Sequence, residues 1–192
     1  VDRLFTTSVS LPIERNLFDL MSACSGDWVF RIDSDEMLST ELRLNLLDRD
    51  ILTRRFTHAW VPRRWIWPHD EMYLRSGPWF PDLQLRLFRN IPALWTISKE
   101  VHKPAQVLGD GCVLPGALYH LDLMNSDFET RVAKAGFYES LRPGLRTHSG
   151  NSTNFATYLP ELLTPRPHTQ GLPQSDLQLL KTRVTHPVER RI

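Results

Sequence analysis

The sequence predicts an α/β fold built on a mixed, mostly parallel sheet flanked by helices. Three observations point there. An amphipathic helix, a short apolar strand and a second amphipathic helix succeed one another early in the chain. An acidic cluster sits at the C-terminal end of that strand, and a later segment alternates apolar and polar residues as a half-exposed strand does.

The first helix begins near Pro12, with Ser10 as cap, because Ile13, Leu17, Leu20, Met21 and Cys24 recur at spacings of three and four; Gly26 stops it. Trp28 to Ile32 is aromatic and β-branched, a buried strand running into Asp33-Ser34-Asp35-Glu36. A second helix is expected over about Thr40 to Thr53, with Leu38, Leu42, Leu46 and Leu47 on its inner face. Phe56 to Trp67 reads as one or two strands. Leu83 to Arg89 alternates leucines with polar residues, Asn90-Ile91-Pro92 ends it, and Ala93 to Ser98 reads as its partner. A strand over about Leu114 to Leu121 leads to a helix through about Ser140, where Ser126 and Glu129 have capping-box spacing. Residues 1–142 thus form the α/β body. An irregular, proline-rich extension is expected over 143–192, with short helical pieces near Tyr158 to Leu163 and Asp176 to Val184.

Composition bounds the function. The 192 residues are 41% hydrophobic and 23% charged, the balance of one soluble domain of ordinary size. With 23 basic residues against 22 acidic ones, the chain has no overall footprint for nucleic acid, so any anion site is local. Two cysteines, Cys24 and Cys112, are too few for a disulfide framework and read as reduced interior thiols. No apolar run is long enough for a membrane span and no secretory signal opens the chain, which leads us to expect a cytoplasmic protein, peripheral at most to the inner face of the membrane.

Asp33-Ser34-Asp35 is the sharpest chemical feature. Two carboxylates one residue apart at a strand end can share a divalent cation, directly or through water, and leave positions open for a diphosphate; the other reading is a turn and cap. A second Asp-x-Asp, Asp48-Arg49-Asp50, falls late in a helix and reads as a solvated face. Only the first follows an apolar strand, where open α/β sheets place their ligands.

Glu14-Arg15-Asn16 on a helix, followed by the run from Gly26 to Glu36, resembles the middle of family 2 glycosyltransferases. In that family an Arg-Asn helix precedes a Gly-Asp-Trp strand ending in a metal-binding Asp-x-Asp. Trp79 to Asn90, then Val101-His102 and Leu118-Tyr119-His120, is similar to the second half of a bacterial branch. The resemblance implies a GT-A fold, incomplete at its N-terminus because Asp33 arrives early and the chain opens on Val1. It also implies a nucleotide-sugar donor, a Mg²⁺ or Mn²⁺ ion, and a glycan, lipid-linked or peptide acceptor. Carried onto this chain, Asp33 and Asp35 hold the ion and the donor, and Arg15 contacts the donor or orders the strand end.

Inverting members take a proton from the acceptor hydroxyl with a carboxylate. Relatives often carry His-Glu where this chain has His102-Lys103, which leaves Asp82 and Glu100 as base candidates. His102 and His120 serve as a diphosphate contact and a third metal ligand, or as ordinary hydrogen-bonded histidines. Trp65, Trp67 and Trp79 stack on an acceptor sugar or belong to the core. Two other classes stay open: a non-catalytic binding module derived from the fold, and a metal-dependent phosphoryl transferase or hydrolase.

Overall fold

The computed structural model describes residues 14–48, 53, 55–96, 105–141, 143–144 and 152–185, with the side chains of 14–16, 18 and 183–185 outside that description. In chain order come α1 (Glu14–Ser22), β1 (Trp28–Phe30), β2 (Glu36–Leu38), α2 (Thr40–Leu47), β3 (His58–Trp65), β4 (Met72–Leu74) and β5 (Leu83–Arg89). A 3₁₀ turn at Pro92–Leu94 leads to β6 (Trp95–Thr96), β7 (Gln106–Val107), β8 (Gly111–Val113) and β9 (Leu118–His120). Helices α3 (Asp122–Asn125), α4 (Phe128–Leu141) and α5 (Thr153–Tyr158) follow, then β10 (Thr169–Gly171) and α6 (Gln174–Thr185).

The main sheet is mixed, in the order β1-β5-β3-β9-β2, with β8 also on β3. Here the expectation of a mostly parallel sheet is corrected. β3 pairs parallel with β8 and β9, but β1 with β5, β5 with β3, and β2 with β9 are antiparallel. The helix-and-strand grammar is right in one respect, since β1 and β3 both run opposite to β5 and so run parallel to each other. What the local pattern does not reveal is that β5, arriving much later, inserts between them. β5 also partners β1 and β3 rather than the segment after it, because β6 pairs with β7.

Strand β3 is the hub, and the chain from Gly111 to His120 lies along its outer edge in two registers. Between those registers the chain detours through Gly116, which has φ +95 and approaches so closely that a Cβ there would lie 2.5 Å from Leu42 N. Glycine meets both demands. Ser39 locks the detour to α2: its Oγ accepts from Leu42 N at 3.1 Å, capping the helix, and from Ala117 N at 2.9 Å. α2 ends at Leu47, earlier than its leucine pattern suggests; Leu42 is buried, whereas Leu47 is 77% exposed. At α4 the cap is Asp127, whose Oδ1 accepts from Thr130 N at 2.8 Å, and not Ser126.

One core cluster gathers Leu42, Phe56, Ala59, Val61, Leu87, Leu114 and Leu118; another gathers Trp65, Leu74, Trp79, Leu123, Ala135, Tyr158 and Leu159. A third joins Ile66, Tyr73, Tyr119 and Leu121 to Leu172 and Leu180. The short helical pieces expected near Tyr158 to Leu163 and Asp176 to Val184 are present, as a 3₁₀ turn at Pro160–Leu162 and as α6, but residues 152–185 are more ordered than the irregular extension expected. β10 pairs antiparallel with β4, and α6 is anchored by Asp176, which accepts from Thr40 N at 2.8 Å and from the Tyr119 hydroxyl. Prolines punctuate this segment, but Leu159, Leu172 and Leu180 give it apolar surface to bury. Cys112 is half-buried, while Cys24 is exposed rather than interior. No helix among the described residues is long and apolar enough to cross a membrane.

Candidate active site

The topology brings the acidic residues to one end of the sheet. Asp33 and Asp35 leave the C-terminal end of β1, and His120 closes β9. Glu36 opens β2 and Asp82 precedes β5, and both of these strands run the other way, so their starts fall at the same end. Backbone bonds fix the turn: Arg31 N donates to Arg86 O at 2.8 Å, Glu36 N to Asp33 O at 3.1 Å, and Leu121 N to Asp35 O at 2.8 Å.

Asp33 and Asp35 face different partners. Asp33 accepts from Arg31 Nη2 at 3.2 Å and from Arg86 Nη2 at 2.9 Å. Burial works against its ionisation, but Arg86 and Arg31 outweigh that cost and its pKa is lowered. Asp35 Oδ2 instead lies 3.4 Å from His120 Nε2. Hydrogen bonding to that ring is the main reason its pKa falls to about 2, against the cost of burial. The Asp35 side chain is 28% exposed, which leaves part of an ionised carboxylate open to solvent.

Beneath this pair runs a buried ionic chain. Arg86, 1% exposed, also donates to Glu36, whose side chain is fully buried. Arg63 approaches Glu36 at 3.8 Å and donates from Nε to Asp82 Oδ2 at 2.7 Å. Asp82 further accepts from Trp65 Nε1 at 2.9 Å and from Gln84 Nε2. A carboxylate offers about four lone-pair positions, so about one remains on Asp82. The Trp65 ring stands edge-on to His120, with centroids 4.1 Å apart, and so links the Asp82 end of the network to the Asp35 end.

Just after β9, where Asp122 opens α3, Lys134 Nζ donates to Asp122 Oδ1 at 2.7 Å. Five carboxylates therefore meet four cations: Asp33, Asp35, Glu36, Asp82 and Asp122 against Arg31, Arg63, Arg86 and Lys134. Among the described residues, Asp35 is the carboxylate of this set whose ion-pair partner is an imidazole rather than an Arg or Lys. His120 Nδ1, Asp122 Oδ2, and Arg86 Nε and Nη1 are buried without a hydrogen-bond partner among the described residues, so the cluster does not satisfy itself.

These residues fit a divalent cation at Asp35 in place of the His120–Asp35 hydrogen bond, with the imidazole then carrying its proton on Nδ1. Two ligands at right angles on a metal with bonds of about 2.1 Å stand about 3 Å apart, and Asp35 Oδ2 and His120 Nε2 are 3.4 Å apart. Asp33, turned toward its arginines, suits a water-mediated contact rather than a direct one. Among the described residues, three ligating side chains do not converge on one point, so waters and ligand oxygens would complete the shell.

Of the residues foreseen from sequence, Asp33, Asp35, Asp82 and His120 come together. Glu100 and His102 lie outside the described residues, as does the side chain of Arg15, whose backbone is on α1. Trp65 and Trp79 are core residues, 4% and 1% exposed, and Trp79 Nε1 donates to Thr157 O, so neither offers a face to a sugar. Sequence reasoning missed Arg86, Arg63, Lys134 and Asp122. The one signal for Arg86 was its place between leucines on a strand that also follows Asp82.

The sequence matches no protein-family model and no curated protein.

Proposed function

We propose that this chain carries the ion and donor site of a metal-dependent, inverting glycosyltransferase with a GT-A-like fold, acting on a nucleotide-sugar and a glycan, lipid-linked or peptide acceptor. The observation that carries this reading is Asp35: an ionised, partly open carboxylate beside His120, at a strand end, in a cluster of five carboxylates. Such a cluster repels a diphosphate unless a cation is also present. The resemblance of residues 26–36 and 79–90 to family 2 glycosyltransferases supports the same reading independently.

In this reading Asp35 and His120 hold Mg²⁺ or Mn²⁺, and Asp33 orients Arg31 and the ion's water shell. The bound cation would supply positive charge where the nucleoside diphosphate departs. Arg86 and Glu36 keep the turn from 31 to 36 rigid, so Asp35 is already in place when substrate arrives. The lone-pair position left on Asp82 would take the proton of the acceptor hydroxyl as its oxygen bonds to the anomeric carbon and the bond to the diphosphate breaks.

Incubating the protein with Mn²⁺ and a panel of nucleotide-sugars, and measuring released nucleoside diphosphate with and without acceptor glycans, tests this. We expect Mn²⁺-dependent release, lost in Asp35→Asn. Release that is indifferent to metal and to Asp35 would overturn it.

A further inference from the structure

We propose that Lys134 is an anion-binding residue of this site, its ammonium placed to hold a phosphate oxygen of the nucleoside diphosphate, with Asp122 as its positioning residue. This rests on the nucleotide-sugar reading above and adds to it a contact from a helix that the sequence did not connect with the site.

The placement begins with α4. Arg131, Lys134, Ala135 and Tyr138 recur at helical spacing and face the body; Arg131 and Ala135 are buried. Arg131 spends its guanidinium on structure, donating to Tyr158 O and pairing with Glu161. Lys134, one turn later, reaches the other way. Its Nζ lies 2.7 Å from Asp122 Oδ1 and 5.1 Å from the centroid of the Tyr158 ring. A carboxylate and an aromatic face thus hold the ammonium in position.

Both holders are buried, whereas Lys134 is not. The Asp122 side chain is 7% exposed and Tyr158 is 8% exposed, but the Lys134 side chain is 31% exposed. An ammonium has three N–H donors, and Asp122 is its one hydrogen-bonded acceptor among the described residues. Two donors remain, on a side chain that is partly open to solvent. Leu121 N on Asp35 O brings the start of α3, and with it Asp122, against the acidic turn, so the ammonium that Asp122 holds lies at the same end of the sheet. Lys181 gives the contrast: 54% exposed, it pairs at 3.3 Å with Glu71, itself 50% exposed, as an ordinary surface ion pair.

Charge supports the assignment. A nucleoside diphosphate is polyanionic, and the cluster offers it two partly open cations, Arg31 at 31% and Lys134 at 31%. Arg31 is engaged by Asp33 on the β1 side; on the His120 side, among the described residues, Lys134 is the more open cation, with Arg63 18% exposed. A point charge with rotatable donors suits one phosphate oxygen without fixing the geometry of the rest.

Acetylation of the intact protein with an amine-reactive acetyl donor, read lysine by lysine by peptide mass spectrometry, tests the contact without mutation. With Mn²⁺ and UDP, GDP or dTDP present, we expect Lys134 to be protected about fivefold relative to Mn²⁺ alone, with Lys181 unchanged. Lys134→Met should weaken nucleoside diphosphate binding about tenfold while leaving binding of Mn²⁺ alone within about twofold. Lys134→Arg should restore most of the loss. If the wild type binds a nucleoside diphosphate but Lys134 is unprotected and Lys134→Met binds it equally well, the assignment is wrong and the glycosyltransferase reading stands. If the wild type binds none of the three with Mn²⁺, that reading falls and this assignment falls with it.

Discussion

Arg86 Nη2 lies 2.9 Å from Asp33 Oδ2 and also donates to Glu36, so one guanidinium from the middle of β5 ties both ends of the acidic turn after β1. Arg86 is 1% exposed and the Glu36 side chain is fully buried. This pair therefore gains nothing from water, and each charge depends on the other.

Removing one partner is the costly change. Arg86→Met should destabilise the fold by about 3 kcal/mol, because buried Glu36 loses its close cation and keeps Arg63 at 3.8 Å. Arg86→Met combined with Glu36→Gln should recover a large part of that loss. Urea unfolding of the two variants checks both statements, and a double variant as unstable as the single one would contradict them.

The pair also shows what was legible in the sequence. Trp28 to Phe30, Leu83 to Arg89 and the helix through Leu141 are visible as local patterns, because strand alternation and helical spacing are local properties. Asp33 and Asp35 are visible because a carboxylate pair at a strand end is a rare context. Arg86 is not, since its alternation with leucines reads as a polar, solvated face. Only the insertion of β5 between β1 and β3 turns that face onto Glu36. Lys134 and Asp122 were hidden for a similar reason: their meeting depends on how α4 folds back over the end of β9. The C-terminal segment was underrated because prolines mask the spacing of Leu159, Leu172 and Leu180, which is set by the surface they cover and not by a helical repeat.

Asp176 anchors that segment. It is 3% exposed and accepts from Thr40 N and the Tyr119 hydroxyl, which ties α6 to the start of α2 and to β9. Asp176→Ala should cost about 2 kcal/mol through the two donors left without their acceptor. Hydrogen exchange should show the loss first in β10 and α6, while β3 and β5 keep their protection. Uniform loss across the sheet would contradict a local anchor.

Acid should weaken the fold in a defined window. The Asp35 carboxyl has a pKa of about 2 in the folded protein against an ordinary value of 3.8. A carboxylate depressed in this way stabilises the fold fully above its unfolded value and loses that contribution as pH falls through the folded one. Asp33 and Asp176 shift in the same direction. Wild type should therefore lose stability between about pH 4 and about pH 2, and the gap between wild type and Asp35→Asn should close over that range. Asp35 is partly exposed, so the gap is small and needs paired unfolding curves at each pH.

We propose that Asp35, rather than Asp33, is the direct carboxylate ligand of a divalent cation that brings in the nucleoside diphosphate. Titrating Mn²⁺ into the protein and following free Mn²⁺ by electron paramagnetic resonance, with and without UDP, GDP or dTDP, tests it directly. We predict that wild type takes up Mn²⁺ more tightly with one of these nucleotides present. Asp35→Asn should lose about tenfold or more in that affinity, and Asp33→Asn, whose contact is through water, should lose less. Wild-type uptake that Asp35→Asn leaves unchanged would contradict the account.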